Sequence, residues 1–160
     1  MHLLWKDCLV VRLIDYIGVE MSDIDVPQVT AGVQLINDIP GVPEAVGPYS
    51  QLTIAGDTIY LSGQLPIDPG SGKLISGAIE EQTEQVFNNI EAVLKGAGLG
   101  LKDVARLSVY LTDMNTFDNM NAVYAKRVGD HKPARETIGI TALALGAAIE
   151  ITAIAHKRKG

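Results

Sequence analysis

The stretch "HKPARETIGITALALGAAIEITAIA", His131 to Ala155, places a permanent cation and two carboxylates where nearly every residue after Arg135 is apolar or small. It reads as two strands, "ARETIGITA" and "AAIEITAIAH", with "TALALG" between them. Side chains alternate across a strand, so each run has two faces. In the first, Glu136, Ile138 and Ile140 share one face, and Arg135 and Thr137 share the other. In the second, Ile149, Ile151, Ala153 and Ala155 form an apolar face opposite Glu150, Thr152 and Ile154. If helices cover the isoleucine faces, Arg135, Thr137, Glu150 and Thr152 all look to the far side. An antiparallel pairing around "TALALG" would make Arg135 and Glu150 near neighbours.

Such a face offers a forked donor, a carboxylate and two hydroxyls among apolar neighbours. An arginine matches a planar carboxylate bidentately, and a partly buried glutamate can move a proton or orient water. Those groups suit a small anionic substrate that is hydrolysed or tautomerised. The same pattern also fits an Arg135–Glu150 salt bridge buried at a subunit contact, because buried charges usually pair. Pattern alone leaves both readings open.

Upstream, "SQLTIAG" and "TIYLSGQLP" are β-rich runs separated by Gly56-Asp57, a hairpin signal. "IEEQTEQVFNNIEAVLKGAG" predicts a helix with Val86, Ile90, Val93, Leu94 and Ala97 on one face. Glu80, Glu81 and Glu84 crowd its positive end, and Gly96 and Gly98 close it. "DVARLSVYLTD" alternates, with Ala105, Leu107, Val109 and Leu111 on one side. "NTFDNMNAVYAKRVG" predicts a second helix with Phe117, Met120, Val123, Tyr124 and Val128 as its stripe and Asn115 or Thr116 as cap. The order is β-β-α-β-α-β-β, with an early strand near Val33 to Asn37. This is an α+β arrangement with both helices on one face of a single sheet. The other face, if apolar, must be hidden as well, and further copies of the chain are the expected cover.

Composition bounds the function. The 160 residues suit one domain with a full core, and 47% are hydrophobic. Net charge is −6, so the chain lacks the clustered Lys and Arg that neutralise phosphate, apart from the tail "HKRKG". No nucleic-acid partner is expected. The single cysteine, Cys8, forms no internal disulfide and fits a reducing, cytoplasmic setting. Residues 1–32 are read as an N-terminal extension to a domain spanning 33–160. Its opening "MHLLWKDCLVVRLIDYIGVEM" is interrupted by Lys6, Asp7, Arg12 and Asp15, too many charges for a membrane span of ~20 apolar residues. Leu9, Leu13, Ile14 and Ile17 allow an amphipathic helix, while Met21 opens "MSDIDVPQV" like an ordinary start, so the extension is expected to be dispensable.

Two glycine-rich runs carry no nucleotide signal. "PGSGK" lacks the first glycine and the final Ser/Thr of a phosphate loop, and "GAGLG" ends a helix. His2, His131 and His156 are too scattered for a metal site, and His131 reads as a surface residue.

Six motifs occur in family-like order: "GPYSQ", "YLSGQLPIDPGSGK", "IEEQTEQVFNNIEAVLKGAG", "VYLTDMNTFDNMNAVYA", "HKPAR" and "IEITAIA". Together they closely resemble the RidA family, also called YjgF, over about residues 33 to 158. The resemblance implies a chorismate mutase-like homotrimer with a central barrel, helices outside and active sites between subunits. It implies hydrolytic deamination of 2-aminoacrylate and 2-aminocrotonate, or their imine tautomers, to 2-oxo acids and ammonia, without metal or organic cofactor. In that family these intermediates come from pyridoxal-phosphate-dependent dehydratases. By resemblance, Arg135 clamps the substrate carboxylate and Glu150 positions or activates water. Tyr49, Ser62, Gly63 and Asn121 line the cleft, although Tyr49 would also serve as a plain loop anchor. Thr137 stands where many members carry cysteine, and Thr152 replaces a second glutamate of some relatives. The alternatives are a non-catalytic ligand-binding or holdase trimer and, against the acidic composition, a ribonuclease or translation inhibitor.

Overall fold

The computed structural model describes residues 32–157. The amphipathic stretch and second start read in the N-terminal extension, and the end of the basic tail, lie outside the described residues. A six-stranded sheet runs in the order β1-β2-β3-β8-β6-β7. Its strands are β1 (Gln34–Ile36), β2 (Leu52–Ala55), β3 (Thr58–Gln64), β6 (Val104–Leu111), β7 (Ala134–Gly139) and β8 (Ile149–His156). A separate two-stranded ribbon, β4 (Ile67–Asp68) with β5 (Lys73–Leu74), fills the turn-rich segment after β3. The expected early strand and the hairpin at Gly56-Asp57 are both present.

Helix α1 (Ile79–Gly96) follows from its spacing: Val86, Phe87, Ile90, Val93 and Leu94 are fully buried. The Glu81 carboxylate accepts from the Ala78 N–H at its entrance. At its exit Gly98 takes φ +73°, and the Leu99 and Gly98 amides donate back to the Leu94 and Lys95 carbonyls. That left-handed closure favours glycine. Helix α2 (Phe117–Val128) buries Met120, Val123, Tyr124 and Val128. Neither Asn115 nor Thr116 caps it through a side chain. Asp113 instead accepts from the Asn115 amide in the preceding turn, and the Thr116 hydroxyl donates to the Asp113 carbonyl.

Both helices cover one sheet face. Ile59 and Leu61 of β3, Leu107, Val109 and Leu111 of β6, and Ile149, Ile151, Ala153 and Ala155 of β8 form the core beneath them. The parity read for β8 therefore holds. In β6 the register shifts between Val104 and Arg106, so Val104 is buried and Ala105, expected in the apolar row, is exposed. A bulge of this kind changes parity by one residue.

The last two strands depart from expectation. They do not pair: β8 lies between β3 and β6, while β7 pairs with β6 in parallel on the outer edge. The β6–α2–β7 segment is a crossover unit, which places β7 beside β6. The return to β8 then passes the end of β6, where the Ile140 amide donates to Leu111 O and the Thr112 amide to Ala148 O. The faces of β7 are also reversed. Arg135 and Thr137 register with the buried Leu107 and Val109, on the helix side, and Ile138 is exposed on the other.

Two polar devices fix the helices. Arg127 of α2 donates to Glu84 (2.6 Å) and Glu91 (2.9 Å) of α1 and lies 5.5 Å over the Phe87 ring. The buried Asn89 of α1 donates to the carbonyls of Leu65 (3.0 Å) and Ile67 (2.9 Å), fastening the segment after β3 to the helix. Removing that amide takes one donor from each carbonyl, while the Ile67 N–H still donates to Leu65 O (2.8 Å) and Gln85 Nε2 to Ile67 O (3.3 Å), so the loss is about 0.5–1.5 kcal/mol per bond. Asn89→Ala is therefore expected to lower the urea midpoint of unfolding by a corresponding amount. An unchanged midpoint would mean that the carbonyls find other partners.

Candidate active site

The sequence-predicted site residues fall into two groups on opposite sides of the sheet. The first is built around Glu150. On β8 its side chain projects to the far face, registered with Tyr110 of β6. On its other flank the β3–β8 ladder slips between Leu61 and Gln64, a bulge that takes in Ser62 and Gly63. Bulges re-aim side chains and bring backbone close, as this one does. A Cβ on Gly63 would lie 1.8 Å from Glu150 Oε1, so only glycine leaves room for the carboxylate. Ser62 is held by its hydroxyl donating to Ser50 O (2.6 Å) and its amide donating to Gln51 O (3.1 Å). Tyr49 arches over from the preceding loop, its hydroxyl accepting from the Val46 N–H at 3.3 Å. The residue is 49% exposed, and its bond to Val46 also ties the loop to itself.

Tyr49, Ser62, Gly63 and Glu150 line one cavity of about 380 Å³. Among the described residues no hydrogen bond or ion pair engages the Glu150 carboxylate. Partial burial raises its pKa above the ordinary carboxylate range, because desolvation penalises the charged form. An acid of this kind holds a proton at higher pH than a surface glutamate and is a stronger base once it has lost it.

The second group is built around Arg135 on β7. Its guanidinium lies 4.5 Å over the Tyr124 ring and 5.8 Å from the Phe117 ring, and Nη1 donates to Asn121 Oδ1 at 2.7 Å. Phe117, Asn121 and Tyr124 stand four and three residues apart on α2, on one helical stripe. Tyr124 is in turn braced edge-on by Phe87 of α1, with centroids 5.7 Å apart. An aromatic platform stabilises an exposed guanidinium such as this by roughly 0.5–1 kcal/mol without neutralising it. Among the described residues Arg135 makes no ion pair. It opens into a separate cavity of about 430 Å³ with Asn121, Tyr124, Lys132 and Pro133. The salt bridge with Glu150 that the sequence allowed is absent within one chain, because the two side chains occupy opposite faces with β6 between their strands.

Thr137 shares the Arg135 face, but its Oγ1 is buried and has no partner, as is Tyr124 Oη. His131, expected at the surface, is exposed and donates from Nε2 to Val104 O at 2.6 Å. Phe117 and Tyr124 were read only as packing. Their four- and three-residue spacing from Asn121 was the available signal for a cradle. The carboxylate beside Arg135 in sequence, Glu136, plays another part. It accepts from Ser108 and pairs with Arg106 on the far face, and these contacts, Ser108 first, lower its pKa. Among the described residues no helix is long and apolar enough to cross a membrane.

Gly63→Ala is expected to preserve the fold, since only the tip of a flexible side chain must yield, but to drive the Glu150 carboxylate toward solvent. Its pKa, followed by carbon NMR, should drop toward the ordinary value. A titration unchanged from wild type would contradict the close packing. Because folding raises this pKa, protonation stabilises the fold fully below the ordinary carboxylate range, and the benefit fades as pH rises through the folded value. Glu150→Gln should therefore gain stability over wild type as pH rises above the ordinary carboxylate range and through the raised folded value. A pH-independent difference in thermal midpoint would contradict the burial of this carboxyl.

Comparison with known proteins agrees with this architecture. Residues 41–157 match the family described as endoribonuclease L-PSP. A RutC family protein of Pyrococcus horikoshii is 48% identical over 115 residues, covering 72% of this chain and 91% of that one. The human 2-iminobutanoate/2-iminopropanoate deaminase is 41% identical over 113 residues, covering 71% and 82%. The crystal structure of the Escherichia coli YjgF product superposes with a TM-score of 0.73 at 33% identity, covering 78% of this chain and 99% of that one. With the fold, the motifs and the extent of these matches in agreement, the chain belongs to the RidA/YjgF family, the one also described as endoribonuclease L-PSP.

Proposed function

We propose that this protein hydrolyses small 2-imino acids, such as 2-iminopropanoate and 2-iminobutanoate or their enamine tautomers, to 2-oxo acids and ammonia. We further propose a homotrimer in which each active site is shared. Arg135, Asn121 and Thr137 of one copy would face Tyr49, Ser62, Gly63 and Glu150 of the next. The observation that carries this reading is the pair of opposite charges on opposite sheet faces, each without an ion-pair partner among the described residues. Arg135 is cradled but unneutralised, and Glu150 is desolvated and unpartnered. Relatives named as deaminases of these imines support the chemistry.

In the proposed mechanism the Arg135 fork holds the substrate carboxylate and limits its motion. Glu150 takes a proton from a water molecule as that water attacks the imine carbon. The resulting carbinolamine receives a proton at nitrogen, the C–N bond breaks toward ammonia, and the hydroxyl oxygen becomes the ketone of the 2-oxo acid. An enamine first needs a proton on carbon, which a glutamate with a raised pKa is suited to deliver. General base assistance of this kind typically contributes ~10²–10⁴-fold. The ribonuclease suggested by the family description is disfavoured by a net charge of −6. A trimer that only binds 2-oxo acids is separated from the enzyme by turnover.

The test generates the imine with a threonine dehydratase and follows 2-oxo acid formation against semicarbazide trapping. Arg135→Ala should lower kcat/KM by about 10²-fold or more. Glu150→Gln should lower kcat by about 10²–10⁴-fold and abolish the acidic limb of its pH profile. If the two variants are unfolded and reassembled together in equal amounts, about a quarter of sites should combine both intact halves and recover activity. Reassembled mixtures that stay inactive, while wild type recovers under the same treatment, would refute the shared site. No acceleration by wild type would remove the enzyme reading altogether.

A further inference from the structure

We infer that His131 is a positioning residue for Arg135, its imidazole pinning the entry to β7 so that the guanidinium meets the Tyr124 ring. The placement stands on contacts within one chain, and its bearing on turnover rests on the deaminase reading above. Backbone pairing of β7 with β6 begins at Ala134 opposite Arg106, one residue before Arg135. Arg135 therefore sits near the start of its ladder, on an edge strand, where ends fray most easily. The His131 ring extends that ladder. Its Nε2 donates to Val104 O at 2.6 Å, beyond the first backbone pair, at the bulge where β6 slips against β8. Val104 is buried, and its own amide donates to Leu101 O. The His131 amide donates in turn to Val128 O at the end of α2 (3.2 Å). One residue thus bonds both elements between which Arg135 is set. These are β6, the neighbour of its strand, and α2, which carries Phe117, Asn121 and Tyr124.

The link from His131 to Arg135 is stiff and strained. Lys132 takes φ 44°, a left-handed conformation that costs a residue with a side chain free energy and persists only where its surroundings enforce it. Pro133 then fixes the next φ. If the ring released Val104, Lys132 is where the segment would relax. That relaxation would carry Arg135 off a platform whose centroid lies 4.5 Å from its Cζ. Every group in this chain of contacts belongs to one subunit, so a second copy at the site does not create it.

The experiment follows 2-oxobutanoate affinity, kcat/KM for the imine made by threonine dehydratase, and the Arg135 Nε–H resonance, which the Tyr124 ring current shifts. His131→Ala removes the donor. His131→Gln restores an N–H where Nε2 stood, on a group that does not ionise. His131→Ala is expected to weaken 2-oxobutanoate binding about three- to tenfold, the range of one lost hydrogen bond. It should lower kcat/KM by the same factor, as loss of uniform binding does, and move the Arg135 resonance. His131→Gln should return all three toward wild type. Should His131→Ala not fold, His131→Asn, whose amide is too short to reach Val104 O, takes its place. A folded variant without the donor that keeps wild-type affinity and resonance overturns the inference and leaves His131 a surface bond. A folded His131→Gln that behaves like His131→Ala also overturns it. So does a fall in kcat/KM well beyond the loss of affinity, because the ring then acts on the chemical step rather than on the clamp. If wild type gives no turnover, the deaminase reading falls, while the resonance still decides this inference.

Discussion

The geometry of the site depends on one contact, the seating of the Arg135 guanidinium on the Tyr124 ring. Arginine stays charged at any pH a protein meets, so it must be hydrated, paired with an anion or given a polarisable surface. Here it is exposed to water and has the third as well, with the Asn121 carbonyl oxygen as its acceptor. That cradle exists only if α2 is held at one height and rotation over β7. Phe87 against Tyr124 and Arg127 against Glu84 and Glu91 hold it there. The clamp between the helices therefore sets the direction of a donor fork on a different element.

Topology then keeps Arg135 and Glu150 apart. The β6–α2–β7 crossover places α2 over β7 and turns Arg135 toward the helix layer. Inserting β8 between β3 and β6 turns Glu150 to the other face, where the bulge at Ser62–Gly63 receives it. Intervening strand β6 and the sheet itself prevent a meeting inside one chain. In the proposed trimer, a second copy brings the two half-sites to one substrate.

Much of this was legible in the residues. The α1 stripe, the Gly56-Asp57 hairpin and the alternation of β8 each carry one strong period, and tertiary contacts reinforce rather than override them. β7 was misread because its isoleucines pointed to the core by hydrophobicity alone. An edge strand beside an aromatic helix stripe can instead lay an exposed arginine against that stripe, and that alternative depends on a neighbour 11 residues away in sequence, Tyr124. The bulge at Ala105 is equally silent in a one-residue pattern. Glu150 was legible from the alternation of its strand, but Gly63 only by resemblance. Their spatial reason, a carboxylate pressed against a bare Cα, needs the β3–β8 register to be seen.

The separation also has a consequence for catalysis in the proposed shared site. An arginine that touched Glu150 directly would lower its pKa and weaken it as a base. Burial without a partner does the opposite. When a substrate carboxylate lies between the two groups, it neutralises the guanidinium and shields Glu150 from it. The substrate itself would then preserve the basicity used to attack it. In the proposed site an anionic substrate would thus be part of the electrostatic design, since a neutral imine in the same position would leave Arg135 free to quench the glutamate assigned as base.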